Sequence, residues 1–157
     1  MKPSVYIETT IPSYLAAWQS PQIVMAARQQ ITHDWWNNHR ENYDLFISQV
    51  VLDESAGGDA HASAKRLDIL RGIDVLESPE DVGRIVDALL KKVPLPENAA
   101  NDALHIAISV ANGIDYLLTW NCRHIANATL HAQMKTVCEA LGFDLPTICT
   151  PEQLIEV

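Results

Sequence analysis

The chain has little cysteine, few basic residues and no long apolar run. Its three cysteines, Cys122, Cys138 and Cys149, are odd in number and too widely spaced for a C-x-x-C pair. We therefore expect reduced thiols that mostly pack in the interior. No stretch reaches the roughly 18 apolar residues of a membrane helix, and the first residues lack the pattern of a secretory signal. These absences predict a cytoplasmic protein that does not associate with membranes.

Positive charge is scarce, since 11 Lys and Arg residues stand against 20 Asp and Glu residues and give a formal net charge of -9. This balance argues against a general nucleic-acid-binding surface, because binding to phosphates depends on Lys and Arg releasing counterions. It does not exclude a nuclease. Carboxylates gathered at one place attract phosphate once a divalent cation has bound and inverted the local field.

Short apolar segments alternate with longer helical patterns along the chain. A length of 157 residues with 48% hydrophobic content is enough for a proper core, so residues 1–157 are treated as a single domain. Helices between successive strands imply parallel pairing through right-handed crossovers. We therefore predict an α/β fold, a three-layer α/β/α sandwich around a parallel sheet of four to five strands. The predicted strands are 5–7, 45–48, 73–76, 116–119 and 147–150, and the predicted helices are 22–40, 50–55, 60–71, 79–92, 97–112 and 129–141.

Three carboxylates and one amide lie close to the predicted strand ends. Glu8 ends the first strand, Asn121 follows the fourth, and Glu54 and Asp102 lie on helices that abut the same edge. In such sheets, ligands bind beyond the carboxyl ends of the strands, near the point where the strand order reverses. We therefore expect the four side chains to converge there. Asp53 competes with its neighbour Glu54 for the second acidic position.

Each of these residues also has a simpler structural explanation. Glu8 can be an ordinary strand-end residue, and Asp102 can stabilise its helix through the dipole by about 0.3–1 kcal/mol. Asn121 can cap a short helix over residues 122–127. His105, three residues after Asp102, can support that acid, although a satisfied or partly buried histidine is the favoured interpretation. The order of the acids along the chain favours one shared site.

Other segments give weaker functional signals. The run H-D-W-W-N-N-H-R at 33–40 contains two histidines on different helical faces, so Trp35 and Trp36 are expected to pack on the core or on a partner subunit. Gly57 and Gly58 lack the lysine and the spacing of nucleotide-binding loops. A haloacid-dehalogenase-like phosphatase is disfavoured, because E-T-T stands where that class has D-x-D after the first strand.

Taken together, the motifs resemble those of PIN-domain proteins, and especially the VapC-like toxin ribonucleases of bacterial toxin–antitoxin pairs. The resemblance extends over nearly the whole chain. Each motif is weak alone, but their order and spacing match the family. The matching segments are V-Y-I-E-T-T with Glu8 and Thr9, S-Q-V-V-L-D-E with Glu54, N-D-A-L-H-I-A-I with Asp102, and L-L-T-W-N-C-R-H-I with Thr119, Asn121 and His124.

The resemblance implies a metal-dependent endoribonuclease that hydrolyses phosphodiester bonds in RNA and is the toxin of such a pair. It implies Mg²⁺ or Mn²⁺ as cofactor, a small antitoxin protein as partner, and a homodimer. The implied site consists of the metal ligands and catalytic residues Glu8, Glu54 and Asp102, the catalytic residue Asn121, and the supporting residues Thr9, Thr119 and His124.

The chain departs from the family pattern at two corners of the implied site. The first acid is commonly Asp in the family and is Glu8 here, while Asn121 and His124 stand where a fourth acid is frequent. Three carboxylates can hold one hard cation, but a second metal is less well supported. Imidazole favours Mn²⁺ over Mg²⁺. The alternative interpretation is a PIN-like protein with weakened or lost catalysis that acts as a binding or structural module.

Overall fold

Five short apolar segments form one parallel sheet in the computed structural model, which describes residues 1–157. The strands are β1 (Ser4–Ile7), β2 (Asp44–Ile47), β3 (Asp74–Val75), β4 (Tyr116–Leu118) and β5 (Thr147–Cys149). All neighbours pair in parallel, in the spatial order β3-β2-β1-β4-β5. The central strand β1 has the continuous apolar run Val5-Tyr6-Ile7, fully buried, as expected for a strand covered on both faces.

Seven helices connect the strands and cover the sheet. They are α1 (Thr10–Ala16), α2 (Ile23–Asn38), α3 (Gln49–Ser55), α4 (Ala60–Leu70), α5 (Asp81–Lys92), α6 (Ala100–Ala111) and α7 (Ala128–Ala140). Helix α1 packs against α2 and α4, whereas α5 packs against α6 and α7. From β1 the chain adds β2 and then β3 on one side, and it then returns to the other side of β1 to add β4 and β5. Because the crossovers are right-handed, this reversal places the helices before β3 on one face of the sheet and those after β3 on the other. The predicted three-layer α/β/α sandwich is confirmed.

The strand order reverses between β1 and β4, which lie next to each other at the centre of the sheet. The backbone N–H of Glu8 donates to the carbonyl of Leu118 at 3.1 Å, so the two strands remain paired where they end. The segments 8–10 and 119–121 therefore lie side by side at the carboxyl edge. This is the position at which open parallel sheets bind ligands.

The prediction misses one helix and differs at two other places. Helix α1 begins directly after β1, and Pro12 lies in its first turn, where a missing N–H is tolerated. Strand β3 has two residues instead of the predicted four. The short helix considered over residues 122–127 is not formed: this segment makes turns, with the carbonyl of Asn121 accepting from the N–H groups of Ile125 and Ala126.

A cluster of 29 buried hydrophobic residues joins the sheet to its helices. Trp35 is 1% exposed, stacks on Tyr43 with ring centroids 5.8 Å apart, and donates its indole N–H to the carbonyl of Leu154 at 2.7 Å. Trp36 is partly buried against the same cluster. Both tryptophans therefore pack on the core, in agreement with the packing interpretation of segment 33–40.

The three cysteines form no disulfide. Cys138 and Cys149 are buried, whereas Cys122 is exposed. None of the helices combines the length and the apolar character that crossing a membrane requires.

Candidate active site at the carboxyl edge of the sheet

Glu8 is the acid nearest to the reversal of strand order, and it is only 4% exposed. Its Oε1 accepts from the hydroxyl of Thr119 at 2.7 Å, from the hydroxyl of Thr10 at 2.5 Å and from the backbone N–H of Thr10 at 3.1 Å. Burying a carboxylate is costly unless it is hydrogen-bonded, and these three donors offset that cost. The other oxygen, Oε2, receives no hydrogen bond from the protein, which leaves it available to a ligand.

Two threonine hydroxyls tie the ends of β1 and β4 together around Glu8. Thr119 donates to Glu8 and accepts from the backbone N–H of Asn121 at 2.9 Å. Thr10 donates to the same carboxylate oxygen and accepts from the backbone N–H of Trp120 at 2.8 Å. Each hydroxyl thus donates a hydrogen bond to the Glu8 carboxylate and accepts one from a backbone N–H of the loop after β4. Thr119, a predicted supporting residue, thus contacts Glu8 and the loop after β4, and Thr10, to which the sequence assigned no role, does the same.

Glu54 lies one helical turn after the start of α3, and its side chain is 31% exposed. Its Oε1 is 2.5 Å from the hydroxyl of Thr9 and 2.7 Å from Nε2 of His105. Its Oε2 has only a long contact, 3.4 Å, with the amide of Asn101. Burial raises the pKa of Glu54, but the hydrogen bonds from His105 and Thr9 outweigh it, so that the pKa lies below its ordinary value. The carboxylate is therefore ionised at neutral pH.

The structure distinguishes Glu54 from its competitor Asp53. Successive helical residues point about 100° apart, so the two acids cannot face the same site. Asp53 is exposed and accepts from the side-chain amide of Gln49 within α3 at 2.9 Å. His105 contacts Glu54 and not Asp102, so the suggestion that it supports Asp102 is wrong. His105 is buried at 1% exposure and both of its ring nitrogens have hydrogen-bond partners, which is the interpretation favoured by its sequence position.

Asp102 lies in the first turn of α6 with its side chain 22% exposed. The side-chain amide of Asn121 donates to Oδ1 at 3.0 Å, and Nδ1 of His124 lies 2.8 Å from Oδ2. A carboxylate can only accept, so the proton of this second contact is on the imidazole. The side-chain oxygen Oδ1 of Asn121 in turn accepts from the backbone N–H of His124 at 3.0 Å, which orients the side-chain amide toward Asp102. The loop after β4 therefore holds the acid at the start of α6.

Shared hydrogen bonds connect the predicted site residues at this edge. Glu8 is linked through Thr119 and Asn121 to Asp102. Glu54 accepts hydrogen bonds from Thr9, which directly follows Glu8, and from Asn101, which directly precedes Asp102. Hydrogen bonds thus connect five residues of the implied site directly, and the pair of Thr9 and Glu54 lies beside them; the five are Glu8, Asp102, Thr119, Asn121 and His124.

The carboxylates of Glu8, Glu54 and Asp102 do not lie close enough to one point to form a complete metal site. No group of three or more His, Cys, Asp or Glu side chains lies close enough to hold a metal ion. The chemistry of the donor set suits a hard divalent cation, because carboxylate oxygens are its usual ligands. Both oxygens of Asp102, however, are occupied by hydrogen bonds to Asn121 and His124. The cation therefore stays a prediction.

Comparisons with known proteins agree with this fold. No model of a known protein family matches the chain, and no curated protein matches it either. Among solved structures it is similar to a chain of VapBC2 from Rickettsia felis, bound to a DNA fragment from the promoter, with a TM-score of 0.59 and 16% identity over 94% of this chain and 98% of that one. It is also similar to VapC20 of Mycobacterium tuberculosis, a sarcin-ricin loop cleaving toxin, with a TM-score of 0.60 and 17% identity over 79% of this chain and 95% of that one. The chain therefore has the PIN-like fold of VapC structures.

Proposed function

We propose that this protein is a ribonuclease of the VapC-like toxin class, which hydrolyses phosphodiester bonds in RNA with Mg²⁺ or Mn²⁺ at the carboxyl edge of the sheet. The observation that carries the proposal is the network that joins Glu8 through Thr119 and Asn121 to Asp102, where the strand order reverses. The similarity of the fold to an RNA-cleaving toxin supports the choice of substrate.

Three acids at this edge suit the chemistry of phosphodiester hydrolysis. The reaction builds negative charge on the phosphoryl oxygens and requires an activated water, and a bound divalent cation supplies both effects. Glu8, Asp102 and Glu54 are the proposed ligands, and of these Glu8 and Asp102 lie nearest to the strand-order reversal. The hydrogen bonds from Asn121 and His124 to Asp102 would be exchanged for contacts with the ion.

The neutral residues of the site have positioning roles in this proposal. Thr119 and Thr10 fix one oxygen of Glu8 and leave Oε2 free for a ligand. Thr9 fixes Glu54 in the same way. Asn121 orients Asp102 and supplies an amide close to where phosphate would bind. These contacts hold the acids in place before substrate arrives, which lowers the cost of assembling the site.

The proposal includes a small antitoxin protein as partner, a homodimer and a cytoplasmic location. The net charge of -9 favours a partner that carries basic residues. The similarity to a chain of the VapBC2 assembly supports an antitoxin as that partner.

The second candidate is a PIN-like binding module with weakened or lost catalysis. The observation that favours it is the engagement of both oxygens of Asp102 by Asn121 and His124. The absence of a group of three close metal-binding side chains points the same way.

Cleavage of a structured RNA by purified protein, freed of any antitoxin, separates the two candidates. We expect cleavage with Mn²⁺ or Mg²⁺, loss of cleavage in excess chelator, and recovery when the cation is added back. Calorimetric titration of Mn²⁺ into the wild type and Glu8→Gln provides the second measurement. No cleavage, together with equally weak binding by both proteins, would favour the binding module.

A further inference from the structure

A buried chain of polar side chains lies behind Glu54. The hydroxyls of Ser48 and Tyr6 are 2.7 Å apart, and the hydroxyl of Tyr6 is 2.6 Å from Nδ1 of His105. The other ring nitrogen of His105, Nε2, is 2.7 Å from Oε1 of Glu54. Ser48, Tyr6 and His105 are each at most 1% exposed. Each of their protons must therefore find its acceptor inside the protein.

The proton positions in this series of hydrogen-bonded side chains follow from counting donors and acceptors. The carboxylate can only accept, so Nε2 of His105 carries a proton. If Nδ1 is bare, it accepts from Tyr6, the Tyr6 oxygen accepts from Ser48, and the Ser48 oxygen accepts from the backbone N–H of Val51 at 3.4 Å. Every buried donor then has an acceptor.

If the hydrogen bonds among His105, Tyr6 and Ser48 ran in the opposite direction, one proton would have no acceptor. If Nδ1 carried a proton, it would donate to the Tyr6 oxygen, and Tyr6 would donate to Ser48. The Ser48 hydroxyl contacts only Tyr6 and the N–H of Val51, and so its own proton would be unpaired in the interior. Native proteins rarely leave buried polar hydrogens unpaired. The hydrogen-bond count therefore selects the tautomer of His105 that is protonated on Nε2 alone.

This tautomer makes His105 a fixed donor to one oxygen of Glu54. The hydroxyl of Thr9 donates to the same oxygen from the loop after β1, at 2.5 Å. Two donors from different elements keep the carboxylate from rotating and leave Oε2 as the oxygen with only a long contact, to Asn101. Ser48 also caps α3, the helix that carries Glu54, so one hydroxyl orders both the helix start and the polar chain.

We propose that His105 is a positioning residue for Glu54, and that Tyr6 and Ser48 set its tautomer. The positioning role rests on the proposed function, in which Glu54 is the third acid of the site. The tautomer depends only on the buried hydrogen bonds. Partners behind the residues of a metal or catalytic site commonly change affinity or activity by about 10–100-fold when they are removed.

Nitrogen-15 spectra of the metal-free full chain at pH 7 test the tautomer. In the wild type we expect His105 to be protonated on Nε2 and bare on Nδ1. In Tyr6→Phe the Nδ1 resonance should move downfield, because that nitrogen loses its donor. Tyr116→Phe is the matched control, since it removes a phenol of the neighbouring strand β4 that is not hydrogen-bonded. Protonated Nδ1 in the wild type, or an unmoved Nδ1 resonance in Tyr6→Phe, would overturn the assignment.

Cleavage kinetics test the positioning role. We expect His105→Leu to lower kcat by about 10–100-fold with little change in the KM for RNA. His105→Gln should recover part of kcat, because its amide can donate to Glu54, and it also serves if the leucine variant does not fold. Ser109→Ala is the control in the same helix, since its buried hydroxyl bonds only to the carbonyl of Ile106. Wild-type kcat in both His105 variants would overturn the positioning role.

The proposed function and this inference fail in different ways. A folded wild-type protein that cleaves no RNA with either cation would refute the proposed function and, with it, the kinetic role of His105. The nitrogen spectra would still decide the tautomer, because they require neither metal nor substrate.

Discussion

Replacing Asp102 with asparagine separates the catalytic interpretation of this acid from its structural one. The substitution keeps the shape of the side chain, removes its charge and turns one acceptor oxygen into a donor. Both present partners, the amide of Asn121 and Nδ1 of His124, are donors to Asp102. The new amide group must therefore face one of these donors, and one of the two hydrogen bonds is lost.

The structural cost of Asp102→Asn is small. A hydrogen bond to a charged group contributes about 1.5–3 kcal/mol to stability, but the 22% exposure of Asp102 allows water to replace the missing partner and to offset part of this loss. We expect a loss of about 1 kcal/mol, which lowers Tm by about 2–4 °C for a chain of this size.

The catalytic cost is much larger if Asp102 binds the cation. Charge stabilisation by a bound metal contributes several kcal/mol to the transition state. A loss of about 4 kcal/mol corresponds to about a 10³-fold decrease in kcat/KM. A small stability change combined with a large activity change is therefore the expected signature.

Thermal unfolding and RNA cleavage with Mn²⁺ measure the two effects on the same samples. Asp115→Asn is the matched control, because this exposed acid also accepts two hydrogen bonds, both from Ser4, at 2.9 and 3.1 Å. Asp115 precedes β4 and so lies at the opposite edge of the sheet. Both of its hydrogen bonds reach the same oxygen, Oδ2, which the amide oxygen of asparagine can replace, so we expect the control to change Tm less than Asp102→Asn does and to cleave RNA like the wild type. Full activity of Asp102→Asn would refute the metal-nuclease interpretation.

Three further predictions concern the core, the thiols and acid stability. Trp35→Phe removes the donor to the Leu154 carbonyl and should lower the free energy of unfolding in urea by about 2 kcal/mol; an unchanged midpoint would contradict this. In the native protein only the exposed Cys122 should react with a maleimide. Burial raises the pKa of Cys138 to about 11 and that of Cys149 to about 12, so these thiols should react only in denaturant. Because the pKa of Glu54 is lower in the folded state than its ordinary value of 4.5, its ionised form stabilises the fold above pH 4.5, and this stability is lost as the pH falls through the folded-state pKa. Glu54→Gln should therefore flatten the fall in Tm below pH 4.5. An equally steep fall in the variant would count against this.

The alternation of strands and helices could be predicted because it depends on local patterns. The run Val5-Tyr6-Ile7 is continuously apolar, as in a strand covered on both faces, and Gly113 and Gly142 follow the ends of long helices with positive φ. Helix α1 escaped prediction because seven residues are too few to show a clear helical period. The order of the strands depends on contacts between distant segments, and local patterns do not encode it.

The acidic residues of the site were predictable and the polar chain behind them was not. Glu8 follows the buried strand β1, and Asp102 lies in the first turn of the largely apolar helix α6, two places where a charge is conspicuous. Tyr6 lies within an apolar run and has the pattern of an ordinary core residue. Its hydroxyl bonds to Ser48 and His105, which are 42 and 99 residues away in the sequence. No local signal marks such a contact.

The neutral residues Asn121 and His124 change how this site depends on its cation. If a carboxylate stood in place of the Asn121 amide, 3.0 Å from Asp102, the two charges would repel each other until a cation separated them. With Asn121 and His124 as donors, Asp102 is satisfied without an ion. A cation must then replace two existing hydrogen bonds, so it binds more weakly and adds less to stability. Chelation should therefore abolish RNA cleavage while leaving Tm almost unchanged, and a large fall in Tm on chelation would show that the acids form a tighter ion site than these hydrogen bonds imply.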